Sequence, residues 1–239
     1  MQKQKLDIIL PAYKPKGEWV KRVQEQTSAI AEQYSEQLEV SLIISPDGSF
    51  SYYSEEVKKQ IESLPWRVRY VSYEKNRGKG FALRSGVEMS DADFILYTDY
   101  DFPFEPYSYV NVIESLLSGS DAVIAIRRKS YQQRLPVIRK LLSYGSHIIN
   151  RVVLGLPYTD TQGGLKGFNR QGKEAFLKTN IDSFLFDTQF ISIAVRKGLK
   201  VDGVPAKVRD EVVLSRMGMK VLLKELRVLP KVFKSRWFS

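Results

Sequence analysis

The amino-acid sequence predicts an α/β fold in which helices flank a mostly parallel sheet. In the first half of the chain, short runs of β-branched residues alternate with longer segments of mixed polar and apolar residues, as in βα units. The 239 residues are 43% apolar, enough to bury a substantial core, so intrinsic disorder is disfavoured. We expect one large domain over residues 1–210 and a basic amphipathic helical extension over residues 211–239.

The first five elements are predicted in the order strand, helix, strand, helix, strand. Hydrophobic periodicity and turn residues place them at residues 6–10, 18–38, 40–44, 54–64 and 67–72. A helix over residues 80–89 and a buried strand over residues 93–98 follow. The second half is predicted to contain a helix, a strand, two helices and a last strand, at residues 107–117, 122–126, 136–154, 187–196 and 201–208.

An acidic pair, Asp99 and Asp101, directly follows the buried strand over residues 93–98. Open α/β sheets bind ligands at the carboxyl ends of their strands, and two carboxylates at this spacing can converge on a divalent cation that also holds a diphosphate. The chain has no cysteine and one histidine, His147, which excludes thiolate and histidine-rich metal sites. We therefore expect Mg²⁺ or Mn²⁺ on Asp99 and Asp101, the alternative being a solvated acidic turn.

A basic, glycine-rich turn precedes the helix over residues 80–89. It contains Arg77, Gly78, Lys79 and Gly80, which suit a close approach of phosphates to backbone N–H groups. The turn does not match the ATPase phosphate-binding loop, because Phe81 stands where Ser or Thr would hold magnesium. The alternative is that these glycines serve tight packing only.

Four blocks occur in the order known from one enzyme family: Pro11-Ala12-Tyr13, Asp47-Gly48-Ser49, residues 76–86 and Asp99-Tyr100-Asp101. Further blocks follow downstream: Arg127, Arg139 with Ser143, residues 160–166 and residues 186–189. In this order the chain resembles family 2 glycosyltransferases, particularly polyprenyl-phosphate (dolichyl-phosphate) glucosyl- and mannosyltransferases, over residues 6–208. The resemblance implies the GT-A fold, a Rossmann-like mostly parallel sheet flanked by helices, and the residues 160–162 favour the glucosyl branch.

The resemblance implies a nucleotide-sugar pocket that contains Pro11, Ala12, Tyr13, Asp47, Tyr100 and Gln162. Asp47 would accept a hydrogen bond from the base, which favours uracil or guanine. Two departures from the family pattern touch this pocket. Pro46 stands where the family usually has an acidic residue, and Lys14-Pro15 replaces a frequent Asn-Glu pair.

The resemblance also implies an acceptor site, in which Arg127 and Arg139 grip a lipid phosphate while Gln162 and Asp187 face the sugar and the acceptor. The expected reaction is the inverting transfer of a hexose from a UDP-glucose or GDP-mannose type of donor to polyprenyl phosphate. A phosphate nucleophile is already anionic and needs no strong general base. The alternative acceptor is a sugar hydroxyl of a glycan, for which Asp187 would be the candidate base.

The formal net charge of +10 is concentrated toward the C-terminus, since residues 196–239 contain 12 Lys/Arg and 4 Asp/Glu. Basic residues 216, 220, 224, 227, 231 and 234 lie within about 80° of a helix, with leucines and Phe233 opposite. This predicts contact with an anionic membrane through the tail, where Pro230 should kink or split the helix and so favour two shorter segments over one. The alternatives are packing of the apolar side on the main domain and, more distantly, nucleic-acid binding, which no recognisable module supports.

The first residues contain no signal-peptide pattern, and no apolar run in the sequence reaches the length of a membrane span. We therefore expect a cytoplasmic protein that lies peripherally on the cytosolic membrane face.

Overall fold

The computed structural model describes residues 2–71, 73–127, 137–212 and 219–238. Its centre is a seven-stranded sheet in the order β3-β2-β1-β4-β6-β5-β7. The strands are β1 (Gln4–Pro11), β2 (Leu38–Ser45), β3 (Val68–Tyr70), β4 (Phe94–Tyr97), β5 (Ala122–Arg127), β6 (Lys166–Asn169) and β7 (Val201–Ala206). Only β6 runs antiparallel to its neighbours. The predicted α/β class with a mostly parallel sheet is confirmed.

Helices cover both faces of the sheet. They are α1 (Trp19–Gln33), α2 (Glu55–Glu62), α3 (Lys79–Met89), α4 (Pro106–Leu117), α5 (Val137–Ile148), α6 (Arg170–Leu177), α7 (Phe186–Arg196) and α8 (Met219–Trp237). A 3₁₀ turn (Phe50–Tyr52) follows β2, and a π-helical turn (Ile149–Val153) extends α5. Among the described residues, no helix is both long and apolar enough to cross a bilayer.

The central strand β1 positions the site edge of the sheet. Its residues from Leu6 to Pro11 are buried because both faces of β1 are covered, and all of them except Asp7 are apolar. It pairs in parallel with β2, with Pro11 opposite Ser45, and with β4, with Ile9 opposite Tyr97. The carboxyl ends of these three strands consequently meet at one edge.

Two elements were absent from the sequence-based prediction, β6 and α6. The sequence of β6 is Lys-Gly-Phe-Asn, which has neither alternation nor β-branched residues. It forms a strand because it is held on both sides, with Lys166 opposite Tyr97 of β4 and Ile124 of β5. Its antiparallel direction brings its first residue, Lys166, to the edge where β4 and β5 end.

The predicted end of the first helix was wrong. Helix α1 stops at Gln33, and β2 already begins at Leu38, so the helix does not continue to residue 38. Tyr34 ends it with a buried ring, whose hydroxyl donates to Glu114 of α4 at 2.8 Å. This tertiary anchor outweighs the helical preference of the residues that follow.

The expected break of the tail helix at Pro230 was also wrong, because α8 runs through Pro230 as one helix. Val232 is fully buried, and Val228, Leu229 and Phe233 pack against the same core. An interior proline costs about 3 kcal/mol, and this packing offsets the cost. These four residues of the apolar side therefore pack on the main domain, which was the alternative to contact with a membrane. Arg216 lies outside the described residues.

Candidate active site

The carboxyl edge of the sheet collects most of the polar residues that the sequence singled out. Asp47 follows β2, the acidic pair follows β4, and Arg127 ends β5. The loop over residues 160–166 crosses this edge before β6 and makes contacts with residues of four other segments. The edge is therefore one continuous polar site.

Asp99 binds to the glycine-rich turn, because Lys79 Nζ lies 2.5 Å from its Oδ1. Its other oxygen, Oδ2, lies against Gly164, where a Cβ atom would come within 2.6 Å of it. The absence of a side chain at Gly164 thus leaves space for the Asp99 carboxylate. Burial opposes the charge of Lys79, but the carboxylates of Asp99 and Asp187 outweigh it and raise the pKa of Lys79.

Asp101 lies beside Asp99 on a tight turn. Phe102 N–H donates to the Asp99 carbonyl at 3.0 Å, and Phe102 has a left-handed φ of 45° with a fully buried ring. Arg209 donates to the Asp101 carbonyl at 3.0 Å. Burial raises the pKa of Asp101, and the negative charge of Asp99 raises it further. Two carboxylates that repel each other in this way favour a bound cation.

The acidic pair fits a hard divalent cation in its donor chemistry, since both residues offer carboxylate oxygens and both side chains are only partly buried. Among the described residues, no group of three or more His, Asp or Glu could hold a metal ion alone. A cation on Asp99 and Asp101 would therefore take further oxygen ligands from a substrate or water. This arrangement is typical of magnesium and manganese sites that bind phosphates.

Asp47 organises the glycine-rich turn. Its carboxylate accepts from the backbone N–H of Arg77 at 2.8 Å and of Gly78 at 3.1 Å, and from the side chains of Asn76 at 2.7 Å and Tyr73 at 3.0 Å. Asp47 itself is buried and has a left-handed φ of 49°. Asp47 therefore stabilises the conformation of the glycine-rich turn. Its contact with a nucleotide base stays a prediction.

The glycines of the turn are required by close packing. Gly78 has a φ of 106°, and a Cβ atom there would come within 2.6 Å of the Asp182 carbonyl. Gly80 donates its N–H to the same carbonyl at 2.9 Å. Arg77 lies with its guanidinium carbon 3.5 Å from the ring centre of Phe81. Close packing therefore accounts for glycine at positions 78 and 80, and contact of this turn with a phosphate stays a prediction.

Asp187 lies in a buried ion pair. Lys166 Nζ is 2.7 Å from Asp187 Oδ1 and donates to the Gly163 carbonyl at 2.6 Å, while the Tyr97 hydroxyl also donates to Asp187 Oδ1. Lys166 is fully buried and Asp187 is 4% exposed. Burial lowers the pKa of Lys166, and the neighbouring Asp187 carboxylate only partly opposes this. The pair fixes the start of β6 against α7.

Arg127 is paired with Asp160. Its backbone N–H and Nε donate to Asp160 Oδ2 at 2.9 and 3.0 Å, and Nη2 donates to Oδ1. Burial alone would raise the pKa of Asp160, but the Arg127 guanidinium holds it below its usual range. Arg139 belongs to α5, and its side chain lies outside the described residues. The grip of both arginines on a lipid phosphate stays a prediction.

The remaining predicted pocket residues lie around the ends of β1 and β4. Pro11 ends β1, and the carbonyl of the buried Ala12 accepts from the Tyr53 hydroxyl at 2.7 Å. Tyr13 is 47% exposed at the same edge. Its ring centre lies 5.5 Å from Lys14 Nζ. An exposed aromatic ring at this place can stack on a base.

Tyr100 lies between the two aspartates in the sequence, and Gln162 lies in the loop that crosses the same edge. Tyr100 packs edge to face on Trp19, with ring centres 6.0 Å apart. Gln162 is half-buried in the loop over residues 160–166. Between α1 and Asp101 lies a cleft of about 240 Å³, lined by Lys16, Glu18, Trp19, Lys21, Arg22, Glu25 and Asp101.

Sequence reasoning assigned no role to Gly164, Lys166, Tyr97 and Asp160, which the structure places in contact with the predicted site residues. One signal could have found Lys166, a lysine inside an otherwise apolar run from Leu165 to Phe168. The partners of Asp160 and Tyr97 depend on the order of β5 and β6 in the sheet. β6 pairs antiparallel with both β4 and β5, which are distant from it in the sequence, so no local sequence pattern predicts these contacts.

The chain is an α/β protein whose mostly parallel sheet has an acidic pair at its carboxyl edge. The profile described as "Glycosyl transferase family 2" matches residues 7–176, and the chain belongs to that family. The predicted resemblance to this family is thereby confirmed.

Similar sequences share about a quarter of their residues with this chain. A dolichyl-phosphate beta-glucosyltransferase of Saccharomyces cerevisiae is 23% identical over 84% of this chain and 65% of its own length. One of Dictyostelium discoideum is 26% identical over 82% of this chain and 64% of its own length. The match therefore spans less than two-thirds of these relatives. An uncharacterized protein of Methanocaldococcus jannaschii is 25% identical over 98% of this chain and 95% of its own length.

Solved structures with the same fold include glucosyl-3-phosphoglycerate synthase of Mycobacterium tuberculosis. Its complex with Mn²⁺, UDP and phosphoglyceric acid superposes with a TM-score of 0.64 at 15% identity, covering 98% of this chain and 78% of that one. The same synthase was also solved with Mg²⁺ and UDP, with a TM-score of 0.64. These likenesses confirm the GT-A fold.

Proposed function

We propose that this protein is an inverting hexosyltransferase that moves a hexose from a UDP- or GDP-sugar to polyprenyl phosphate, with Mg²⁺ or Mn²⁺, at the cytosolic face of a membrane. The observation that carries the proposal is the loop over residues 160–166. Through Gly164, Lys166 and Asp160 it brings Asp99, Asp187 and Arg127 to one edge of the sheet.

The donor side is supported by the charges around Asp99. Lys79 is held beside the acidic pair, so a diphosphate bound there meets its ammonium group. A divalent cation on Asp99 and Asp101 would neutralise the charge on the departing nucleoside diphosphate. The names of the yeast and Dictyostelium relatives favour glucose as the sugar. The metal complexes of the mycobacterial synthase favour Mn²⁺ or Mg²⁺ with a uridine nucleotide.

The acceptor side is supported by the state of Asp187. A sugar hydroxyl needs a base that can reach its proton, but Asp187 is 4% exposed and already binds Lys166 and Tyr97. A phosphate oxygen can attack the anomeric carbon, as the bond to the diphosphate breaks, without losing a proton. The buried Asp187 therefore favours a phosphate acceptor over a glycan hydroxyl. The β-linked product in the relatives' names requires inversion from an α-linked nucleotide sugar.

The proposal is tested with the purified protein, Mn²⁺ and a panel of labelled UDP- and GDP-sugars, with and without polyprenyl phosphate. We expect label in the organic phase with one donor, only when the lipid is present. Chelation of the metal by EDTA should abolish the transfer. No lipid-linked product from any donor would overturn the acceptor assignment, and full activity in EDTA would overturn the metal.

A variant pair separates the two acceptor classes. The double variant Arg127→Lys with Arg139→Gln lacks both planar guanidinium groups. It should transfer sugar to polyprenyl phosphate at least about 100-fold more slowly than the wild type. Transfer to a sugar hydroxyl should change much less. Arg170→Gln is the matched control, because its side chain is 72% exposed and pairs with Asp93 away from the site.

A further inference from the structure

A second apolar surface lies away from the packed face of α8. Among the described residues, twelve large hydrophobic side chains are exposed, and six of them lie on two short segments. We call these six the α5–α8 surface: Tyr144, Ile148, Val152, Val153, Trp237 and Phe238. Their exposed fractions run from 41% for Val153 to 80% for Phe238. A concentration of this kind marks a contact surface.

The two segments are adjacent in space. Arg236 Nε donates to the Leu154 carbonyl at 2.8 Å, which ties the end of α8 to the residue after Val153. The guanidinium of Arg236 also lies 4.6 Å from the ring centre of Trp237. On the other segment, Tyr144, Ile148 and Val152 follow one another every four residues and so lie along one side of the helix. The six residues therefore form one surface.

The two segments that carry this surface belong to stretches of sequence whose charged residues are all basic. Residues 122–159 contain seven Lys/Arg and no Asp or Glu, and residues 226–239 contain four Lys/Arg and no Asp or Glu. Exposed basic residues next to the α5–α8 surface include Lys140, Arg151 and Lys234. The net positive charge is thus not confined to the tail. Exposed Trp, Tyr and aliphatic side chains beside Lys and Arg match the headgroup region of an anionic bilayer.

The surface also borders the predicted acceptor site. Asn150, between Ile148 and Val152, donates to the Thr159 carbonyl at 2.8 Å and to Thr161 Oγ1 at 3.0 Å. Thr159 and Thr161 flank Asp160, the partner of Arg127. The hydrogen bonds of Asn150 therefore connect the helical turn that carries Val152 and Val153 to the residues on either side of Asp160.

We propose that the α5–α8 surface docks on the headgroup region of an anionic bilayer and presents the Arg127 site to a phosphate anchored there. The inference rests on the proposed function for its acceptor, but the docking itself does not require catalysis. Residues 228, 229, 232 and 233 of the apolar side of α8 pack on the core. The proposed membrane contact is therefore formed by residues 144–153 and the end of α8 instead.

Vesicle co-sedimentation tests the docking directly. The full chain is mixed with phosphatidylcholine vesicles with or without 30% phosphatidylglycerol, a probe composition that is about one-third anionic. We expect at least about tenfold tighter partitioning on the anionic vesicles. The double variants Ile148→Ser with Val152→Ser, and Trp237→Ser with Phe238→Ser, should each weaken it about tenfold or more. Met89→Ser with Leu177→Ser is the control, since both residues are exposed but belong to α3 and α6.

Equal binding to both vesicle types, or unchanged binding by both double variants, would overturn the proposal. Light scattering gives a further test. If the wild type is a dimer and the same double variants are monomers, the surface binds a second copy of the chain and the proposal is overturned. Circular dichroism of each variant establishes that the fold is retained, which the exposure of the four residues leads us to expect.

A transfer assay separates this inference from the proposed function. With a short, water-soluble isoprenyl phosphate the double variants should keep wild-type activity, whereas with polyprenyl phosphate embedded in anionic vesicles they should lose about tenfold. Equal losses on both acceptors would contradict docking. If the wild type transfers sugar to neither acceptor, the proposed function fails, while the vesicle-binding result still decides the docking surface.

Discussion

Lys79 and Asp99 form an ion pair, with Nζ 2.5 Å from Oδ1, that joins the glycine-rich turn to the acidic pair. The two residues are 20 positions apart in the sequence and come together because α3 starts at the edge where β4 ends. Burial disfavours the ammonium, but Asp99 and Asp187 nevertheless raise the pKa of Lys79. Lys79 is therefore a fixed positive charge where the proposed diphosphate binds.

Replacing Lys79 by Met should reduce kcat/KM for sugar transfer about 100-fold, because a charge aimed at the departing diphosphate is lost. Steady-state kinetics with the active donor measures the change. Lys75→Met is the matched control, because Lys75 is exposed on the same turn and should have little effect. An unchanged kcat/KM in Lys79→Met would show that the ammonium does not act on the donor.

Gly164→Ala should weaken metal and nucleotide binding at least about tenfold, because the new Cβ atom would come within 2.6 Å of Asp99 Oδ2 and displace that carboxylate. Calorimetric titration of the protein with Mn²⁺ and UDP measures it. Gly145→Ala is the control, since a Cβ atom there meets nothing within 4 Å and α5 tolerates alanine. Wild-type affinity in Gly164→Ala would contradict the assignment of Asp99 to the metal.

Much of the parallel half of the sheet could be predicted from the sequence. β1 and β2 contain the apolar runs 8–10 and 42–44, Pro11 ends β1, and the Asp47-Gly48 pair follows β2. By contrast, β6 is Lys-Gly-Phe-Asn, and its strand conformation comes from its position between β4 and β5. Local propensity could not predict it, because the stabilising contacts are distant in the sequence.

The sequence predicts which residues lie at the candidate site, but it does not predict which residues they pair with. Asp99, Asp187 and Arg127 follow or begin recognisable elements, so their place at the edge could be inferred. Two of their ion-pair partners, Lys166 and Asp160, depend on how the loop over residues 160–166 crosses the sheet, and the third, Lys79, depends on where α3 starts relative to β4. The tail shows the same limit, since its amphipathic pattern is equally consistent with packing on a protein and with lying on a membrane.

Glu225→Gln should destabilise the protein by about 1 kcal/mol, which lowers Tm by about 2–4 °C. Glu225 of α8 accepts from Ser183 Oγ at 3.1 Å and from the backbone N–H of Phe184 at 3.2 Å and Leu185 at 3.0 Å, just before α7 begins. A carboxylate there stabilises the helix dipole, which an amide does less well. Thermal unfolding measures the change, with the exposed Glu88→Gln as control. Equal Tm values for Glu225→Gln and wild type would contradict the docking of α8 on α7.

Asp160→Asn should destabilise the protein at pH 7 by about 3 kcal/mol, because the guanidinium of Arg127 would lose its buried partner. The pKa of Asp160 is lower in the folded protein than in the unfolded chain. Its contribution is therefore fully present above the unfolded value of about 3.9 and is lost as the pH falls through the folded value. The difference between wild type and variant should accordingly shrink below about pH 4.

Urea unfolding at pH 7, 5, 4 and 3 measures this pH dependence of the Asp160 contribution. Asp210→Asn is the matched control, since Asp210 pairs with Lys207 at 3.0 Å on the surface, where ion pairs contribute about 1 kcal/mol or less. A difference between wild type and Asp160→Asn that stays constant from pH 7 to pH 3 would mean that the charge of Asp160 does not stabilise Arg127. The arginine would then keep its position through other contacts, and Asp160→Asn should leave transfer to polyprenyl phosphate unchanged.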